Sequence, residues 1–426
     1  MKPPPELLLF MVTALMITPD LTRCQSTSVV SPDSTLEDAM EAGEADVAVP
    51  KRKLVSWNEY DGPLFTLRLG GGFLYDVGTF AQDSMSKQQF DLGPAAKVRD
   101  FRLLLKGRIK TTRQVTWTCG IMYDGPTGSW LFRETGVMIA VPELWGHLFI
   151  GRTKEGFSLN KVMTGYAGWT MERATITDAT IPILADGMKW LGYLPSHRLL
   201  WSIGWFHDWV SEGQSFSTYE NQFVVRVAWL AMLPDESATL LHIGINGRYG
   251  EVEDGSLQLR SRPEVFLTPY FVDTGKFPAH HTFTGGWEAY YRSGPLLIGT
   301  EYYLQKVPSP EAGNPLFHGG DLAATWLITG ETREYNTVGG YFKAVSPAKT
   351  VFEGGPGAWE AVLRFSYIDL DSGNLRGGKF WRLTPMINWH LSDNLRLEFA
   401  YGYGNLTRFD LKGVTHFFQS RIQTQL

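Results

Sequence analysis

The chain has 426 residues and a formal net charge of −5 at pH 7, so it lacks the overall basic charge that favours nucleic-acid binding. We therefore expect no nucleic-acid partner. With 45 glycines, 15 tryptophans and 17 tyrosines and a mean hydropathy of −0.14, the composition fits a soluble protein or a membrane β-barrel, in which half of the side chains face water.

The N-terminal residues have the pattern of an export signal. Lys2 precedes an apolar run, Leu7–Ile17, that is too short to cross a bilayer as a helix. We predict a signal peptide over residues 1–25, and we favour simple cleavage over lipidation because Cys24 only weakly matches a lipoprotein box. Residues 26–56 are polar, first acidic and then basic, and show no strand pattern, so we predict a flexible leader.

From about residue 57 the chain becomes a series of segments in which apolar side chains alternate with polar or small ones. In NLRLEFAYGYG one face consists of Leu395, Leu397, Phe399, Tyr401 and Tyr403, and the other of Arg396, Glu398, Ala400 and Gly402. The turns between segments contain Gly, Pro, Asn and Asp. This pattern predicts successive β-strands with one apolar face.

A transmembrane barrel explains these strands better than a soluble sandwich does. The segments are about ten residues long, whereas sandwich strands average about five or six. Aromatic side chains recur at the segment ends, where a barrel meets the two membrane interfaces. At roughly 23 residues per strand and connection, residues 57–426 divide into about sixteen strands. We predict an all-β, antiparallel transmembrane barrel over residues 57–426.

The stretch VRDFRLLLKGRIK carries the densest group of cations on a predicted strand. Phe101, Leu103, Leu105 and Ile109 are expected to face lipid, with Asp100, Arg102, Lys106, Arg108 and Lys110 facing inward and Arg99 on the outward parity. Arg68 faces inward on the strand before it. Four later arginines are inward by the same count, namely Arg364, Arg382, Arg396 and Arg421. Each of these arginines has two interpretations. It forms an ion pair with a carboxylate of the barrel wall, or it belongs to a row of basic side chains along which anions pass.

Five stretches, in order along the predicted barrel, are similar to those of the phosphate- and pyrophosphate-selective porins of the O/P type. They are IGRTKEGFSLNKVMTGYAGWTMERA (Ile150–Ala174), LRSRPE (Leu259–Glu264), GGDLAATWLITGETREYN (Gly319–Asn336), GAWEAVLRFSYIDL (Gly357–Leu370) and INWHLSDNLRLEFAYG (Ile387–Gly402). The resemblance implies a homotrimer of sixteen-stranded barrels in the outer membrane of a Gram-negative-type bacterium. It also implies a pore narrowed by an inward-folded third loop and lined by arginines and lysines.

The resemblance indicates two site residues in this sequence. The segment after the fifth strand corresponds to the third loop, and there Lys161 and Arg173 fall on basic positions of the family's central anion site. Gly156 and Asn160 stand where many members have proline or an acidic residue. A second loop lysine of the phosphate-specific members has no counterpart in Thr164–Thr170, which leaves tight phosphate selectivity open.

These observations predict a porin for passive diffusion of small anions, with phosphate or polyphosphate as the expected solute. A partly dehydrated oxyanion regains its lost hydration from ammonium and guanidinium donors, and several weak sites keep it moving. The predicted site residues are Lys161, Arg173, Arg102, Lys106, Arg108 and Arg68. The expected partners are membrane lipid, the permeating anions and two further copies of the chain.

Two other functions remain open from the sequence. Inward glutamates are compatible with a general diffusion porin that has no phosphate selectivity. A barrel-embedded hydrolase would need a nucleophile or carboxylate pair working with histidine, and no motif assembles one. The Gly70–Gly72 run lacks the strand-to-helix context of a phosphate loop, and His280–His281 lacks further ligands at metal-binding spacing. We therefore predict no enzyme activity, no cofactor and no metal.

Overall fold

We describe the protein from a computed structural model, which covers residues 58–124, 128–163, 165–207, 219–233 and 239–426. The predicted signal peptide and leader lie outside the described residues. Most of the described chain forms one antiparallel sheet that closes on itself. Its first long strand pairs with its last, from Gly72 opposite Gln425 to Gln82 opposite Thr415.

Sixteen strands of the described chain form the barrel wall, as the sequence predicted. In chain order, β1 to β16 are Thr66–Gln82, Ala95–Ile109, Val115–Asp124, Ser129–Val141, Gly146–Thr153, Ala185–Leu194, Leu199–His207, Tyr219–Met232, Thr239–Val252, His281–Ser293, Leu296–Lys306, Leu316–Leu327, Ala358–Ser372, Leu375–Ser392, Leu395–Arg408 and Leu411–Gln425. A short strand, Glu59–Asp61, pairs with the start of β1.

The connections contain short helices and two-residue strands. The α-helices are α1 (Ser84–Gln89), α2 (Leu159–Val162) and α3 (Thr175–Thr180), and the 3₁₀ turns are Pro142–Leu144, Pro195–His197, Glu253–Gly255 and Val351–Glu353. The short strand pairs are Ser256–Leu257 with Phe277–Pro278, Arg260–Ser261 with Val272–Asp273, and Tyr335–Asn336 with Tyr341–Phe342. Among the described helices, none is long and apolar enough to cross a membrane.

The wall strands bury their polar faces and expose their apolar ones. On β15, Arg396 and Glu398 are 3% and 0% exposed, whereas Phe399 is 51% exposed. The same reversal continues to the carboxyl terminus, where Phe418, Ile422 and Leu426 are exposed. A soluble sheet buries its apolar face, so this pattern places hydrocarbon outside the barrel.

Three long connections fold into the barrel instead of extending from it. The third loop (154–184) joins β5 to β6, and the fifth loop (253–280) joins β9 to β10. The sixth turn (328–357) joins β12 to β13 and enters from the opposite end. Phe157, Phe271 and Phe342, one from each segment, are fully or almost fully buried. The predicted inward fold of the third loop is therefore confirmed, and two further segments join it.

Candidate functional site

Two wall carboxylates hold the start of α2 in the third loop. The first turn of any helix leaves backbone N–H groups without intrahelical partners. The Leu159 N–H donates to Glu288 Oε2 at 2.8 Å and the Asn160 N–H to Glu301 Oε1 at 2.7 Å. Ser158 caps the same turn, accepting from the Lys161 N–H at 3.1 Å. These contacts fix the third loop against β10 and β11 and set the position of Lys161.

Inward arginines of β13, β15 and β16 hold the rest of the third loop. Arg364 on β13 donates to the Glu172 carbonyl at 2.7 Å, and Arg396 on β15 donates to the Gly168 carbonyl at 2.7 Å. Arg421 on β16 pairs with both Asp76 and Glu172 at 2.6 Å. Although burial alone would raise it, Arg99 and Arg421 lower the pKa of Glu172 below its usual range. This wall therefore acts as a clamp for the loop.

On its other side the third loop borders a cavity of about 120 Å³, closed by β2, β3 and β4 and by the fifth loop. Its basic lining side chains are Arg99, Arg102, Arg133, Lys154, Lys161, Arg173 and Arg262. Its acidic lining side chains are Asp100, Glu172, Asp178 and Glu264. Seven basic groups against four carboxylates give the cavity an excess of positive charge. We call this space the cationic cavity.

Three of the six predicted site residues meet in the cationic cavity. The Lys161 ammonium donates to the Ile181 carbonyl at 3.3 Å, and Arg173 donates to the Asn160 and Met163 carbonyls at 3.1 and 3.0 Å. Arg102 pairs with Asp100 and lies 5.0 Å above the Tyr166 ring. Burial, together with nearby Arg173, lowers the pKa of Lys161 well below its ordinary value, and burial lowers the pKa of Arg173 to about 10.

The other three predicted residues lie on β1 and β2, away from the cavity lining. Lys106 is buried and stands opposite Arg68 in the register of the two strands. Arg68 also pairs with Glu59 at 3.4 Å. Arg108 is exposed near the end of β2. Together with Arg102 they form a basic stripe that leads from the cavity toward the end of the barrel opposite the third loop.

The prediction for Arg99 was wrong because a β-bulge interrupts the alternation of β2. Leu74 pairs with Asp100 but its neighbour Tyr75 pairs with Val98, so Arg99 is an extra residue in the ladder. A bulge of this kind turns a side chain to the other face. Arg99 consequently points inward, where it pairs with Glu172 at 2.8 Å and lines the cavity.

A second β-bulge places Arg133 in the cavity lining. Counting alternate residues along the strand did not identify this arginine. On β4 the pairing passes from Thr135 opposite Cys119 to Phe132 opposite Ile121, which leaves one extra residue on β4. As a result the consecutive side chains of Arg133 and Glu134 are both buried. A run of two adjacent charged residues inside a strand is the sequence signal that could have revealed it. Lys154 and Arg262 were also missed because they lie in connections, where alternation gives no orientation.

The Gly70–Gly72 run makes room for the third loop. A Cβ atom added at Gly72 would lie 2.3 Å from the Tyr166 ring, so any larger residue there would collide with the loop. Tyr166 is almost completely buried, and its carbonyl accepts from the Gln423 side chain on β16 at 3.0 Å. The glycines therefore belong to the wall, as expected, and one of them permits a close contact.

The sixth turn supports the third loop from the opposite end of the barrel. Arg333 pairs with Glu360 on β13 at 2.8 Å and donates to the Ala167 carbonyl at 2.9 Å. Arg226 on β8 pairs with Glu288 and donates to the Gly339 carbonyl at 3.2 Å. Within the described ranges, no group of three or more His, Cys, Asp or Glu side chains is arranged to hold a metal ion.

The sequence model of the family "Phosphate-selective porin O and P" matches residues 67–412, which includes the third loop, the fifth loop and the sixth turn. The chain belongs to this family. As a member of this porin family it is an outer-membrane β-barrel.

Two curated relatives match part of the chain. An uncharacterized protein of Caulobacter vibrioides is 30% identical over 173 residues, which cover 40% of this chain and 35% of that protein. Porin O of Pseudomonas aeruginosa is 24% identical over 196 residues, which cover 39% of this chain and 44% of that protein. The matches thus span less than half the length of either relative.

Solved structures of outer-membrane channels share the fold. The channel DcaP of Acinetobacter baumannii has a TM-score of 0.55 and 10% identity, covering 86% of this chain and 99% of its own. A trimer form of OmpT of Vibrio cholerae has a TM-score of 0.53 and 11% identity, covering 85% and 100%. An anion-selective porin of Comamonas acidovorans has a TM-score of 0.50 and 12% identity, covering 85% and 100%. At these identities the likeness concerns the fold alone.

Proposed function

We propose that this protein conducts small anions passively across the outer membrane, with phosphate or polyphosphate as the expected solute. The observation that carries the proposal is the basic excess of the cationic cavity, where the third loop narrows the barrel. A field of one sign in a low-dielectric constriction concentrates ions of the opposite sign. Transport of this kind involves no chemical step, so we propose a channel without enzyme activity.

The six predicted residues are assigned successive positions along the path. Lys161, Arg173 and Arg102 act at the cationic cavity, and Lys106, Arg68 and Arg108 continue the basic stripe beyond it. Several charge-assisted hydrogen bonds replace part of the hydration that the anion loses. Each contact binds the anion only weakly, so the anion can move on to the next. The four carboxylates of the cavity favour the alternative of a general diffusion porin, because they reduce the net charge that a cation meets.

Reversal potentials in planar bilayers across a salt gradient test the proposal. We expect a preference for anions over cations, and Lys161→Glu should reduce the permeability ratio by about tenfold or more, because it replaces a basic group of the cationic cavity with an acidic one. Lys87→Glu is the matched control, since it makes the same charge change on exposed α1. A cation preference in the wild-type channel would reject the proposal. An unchanged ratio in Lys161→Glu would remove Lys161 from the site.

We also propose that the protein assembles as a homotrimer embedded in outer-membrane lipid. The trimer form of the OmpT structure supports this assembly on a shared fold. The mass of the detergent-solubilised protein, corrected for bound detergent, should correspond to three chains. Channel insertions should also appear in steps that close in thirds. A monomeric mass with single closing steps would refute the trimer.

A further inference from the structure

Glu264 is a strained residue of the fifth loop whose backbone is held by the barrel wall. Its φ of 61° lies in the left-handed region, which residues other than glycine rarely adopt. Arg382 on β14 donates to the carbonyls of Pro263 and Glu264 at 2.6 and 3.2 Å. Such backbone strain persists where surrounding contacts enforce it, and it is frequent at functional sites.

The Glu264 side chain is buried but only half satisfied. Its exposure is 1%, and Oε2 accepts from the Arg364 guanidinium. Oε1 is buried and accepts no hydrogen bond from the described residues, although the side chain lines the cationic cavity. Leaving a buried carboxylate oxygen without a hydrogen-bond donor destabilises the folded protein. The strained backbone and the unused acceptor thus occur in one residue that lines the cationic cavity.

We propose that Glu264 Oε1 accepts a hydrogen bond from a hydroxyl group of the permeating anion, so that the cavity favours oxyanions that carry a hydroxyl. The arginines and lysines of the cavity can bind the acceptor oxygens of any oxyanion. Hydrogenphosphate also has a P–OH donor for the carboxylate, whereas sulfate has only acceptors and is repelled by it. A site built to pair with a hydroxyl discriminates strongly against analogues that lack it.

The inference rests on the proposed function, because it requires anions to pass through the cationic cavity. Asp178 offers a contrast within the same lining. It is exposed, and its Oδ2 already accepts from the Ser261 hydroxyl at 3.0 Å and the Arg262 N–H at 3.4 Å. Its charge repels every anion, but unlike Glu264 it has no buried oxygen without a hydrogen-bond donor among the described residues. Asp178 is therefore the matched control for Glu264.

A comparison of three anions on the wild-type channel tests the inference without any substitution. Inorganic phosphate, monofluorophosphate and sulfate are all dianions at mildly alkaline pH, and only phosphate keeps a hydroxyl. We expect phosphate to block the chloride current at concentrations about tenfold lower than the other two anions, which corresponds to one charged hydrogen bond. Equal block by the three anions would overturn the inference. If the channel still preferred anions over cations in that case, the proposed function would stand.

Substitutions then assign the effect to one oxygen. Glu264→Gln should bring the phosphate-to-sulfate ratio of blocking concentrations close to one, because the amide can also donate to sulfate. Asp178→Asn should strengthen block by all three anions to a similar extent and leave the ratio unchanged. Heat-modifiable migration in gels checks that each variant is folded. If Glu264→Gln does not fold, the wild-type comparison decides, and a folded variant with an unchanged ratio contradicts the role of Glu264.

Discussion

Basic side chains on two neighbouring walls of the barrel, β13 to β16 and β2, have the same inward orientation but different surroundings. On β13, β15 and β16, Arg364, Arg396 and Arg421 donate to backbone carbonyls of the third loop and pair with buried carboxylates. On β2, Arg99 and Arg102 also have acidic partners, but both line the cationic cavity. The difference arises because the third loop lies against the first wall and leaves a space at the second. Inward parity alone therefore does not define a pore-lining arginine.

The largest effect is expected from a substitution that removes one arginine of the clamp. Arg421→Gln leaves Asp76, and one side of Glu172, without a buried cationic partner. Removing one member of a buried ion pair typically costs about 3–5 kcal/mol, so we expect a loss of this order in the free energy of unfolding. A loosened third loop should also make single-channel conductance larger and more variable. Denaturant unfolding in detergent and bilayer recordings measure the two effects.

Arg173→Gln is the matched substitution on the cavity side. Its acceptors are backbone carbonyls, so no carboxylate loses its partner, and a glutamine amide can keep one of the hydrogen bonds. We expect at most about 1 kcal/mol of destabilisation and a clear fall in anion preference. Equal destabilisation by the two substitutions would contradict the division into clamp and cavity.

A smaller effect concerns the pH dependence of the cavity. Because burial and Arg173 lower the pKa of Lys161, its positive charge is lost as pH rises through that lowered value, before the ordinary range of lysine near about 10.4. Burial also lowers the pKa of Lys154. Anion preference should therefore decline at a pH at which exposed lysines remain charged. Neighbouring Glu155 and Asp178 oppose this loss without reversing it.

Lys161→Arg tests the assignment, because a guanidinium remains protonated over the same range. Reversal potentials measured against pH should show a smaller decline in this variant, and Lys154→Arg should remove a further part. A wild-type profile that stays flat up to the ordinary lysine range would show that neither buried lysine controls selectivity.

The smallest effect is expected at the end of the basic stripe. Arg108 is exposed to solvent, where dissolved salt screens its charge within about 10 Å at 0.1 M ionic strength. Arg108→Gln should change the permeability ratio by less than about twofold, and the change should vanish at high salt. Permeability ratios at two ionic strengths measure it. A larger, salt-independent change would place Arg108 in the narrow part of the path.

The sequence predicted the barrel well because alternation is a direct consequence of strand geometry and one lipid-facing side. It gave the wrong orientation for Arg99 and missed Arg133, because an extra residue in a strand breaks the alternation of side chains at that point. It gave the inward direction of Arg364, Arg396 and Arg421 but not their partners, because those partners are about 200 residues away in the chain. The sixth turn has no periodic pattern, so its entry into the barrel was not foreseeable.

The Asp76–Arg421 pair also has a consequence for assembly. The two residues face each other on β1 and β16, the strands that close the barrel, and Arg421 reaches Glu172 from there. A sheet that has not closed would thus lack Asp76, the partner that positions Arg421 for its contact with the third loop. Closure of the seam and the final positioning of Arg421 against the third loop then become a single step of biogenesis. Insertion machinery that releases the protein only after seam closure would release a barrel in which Arg421 already holds the third loop.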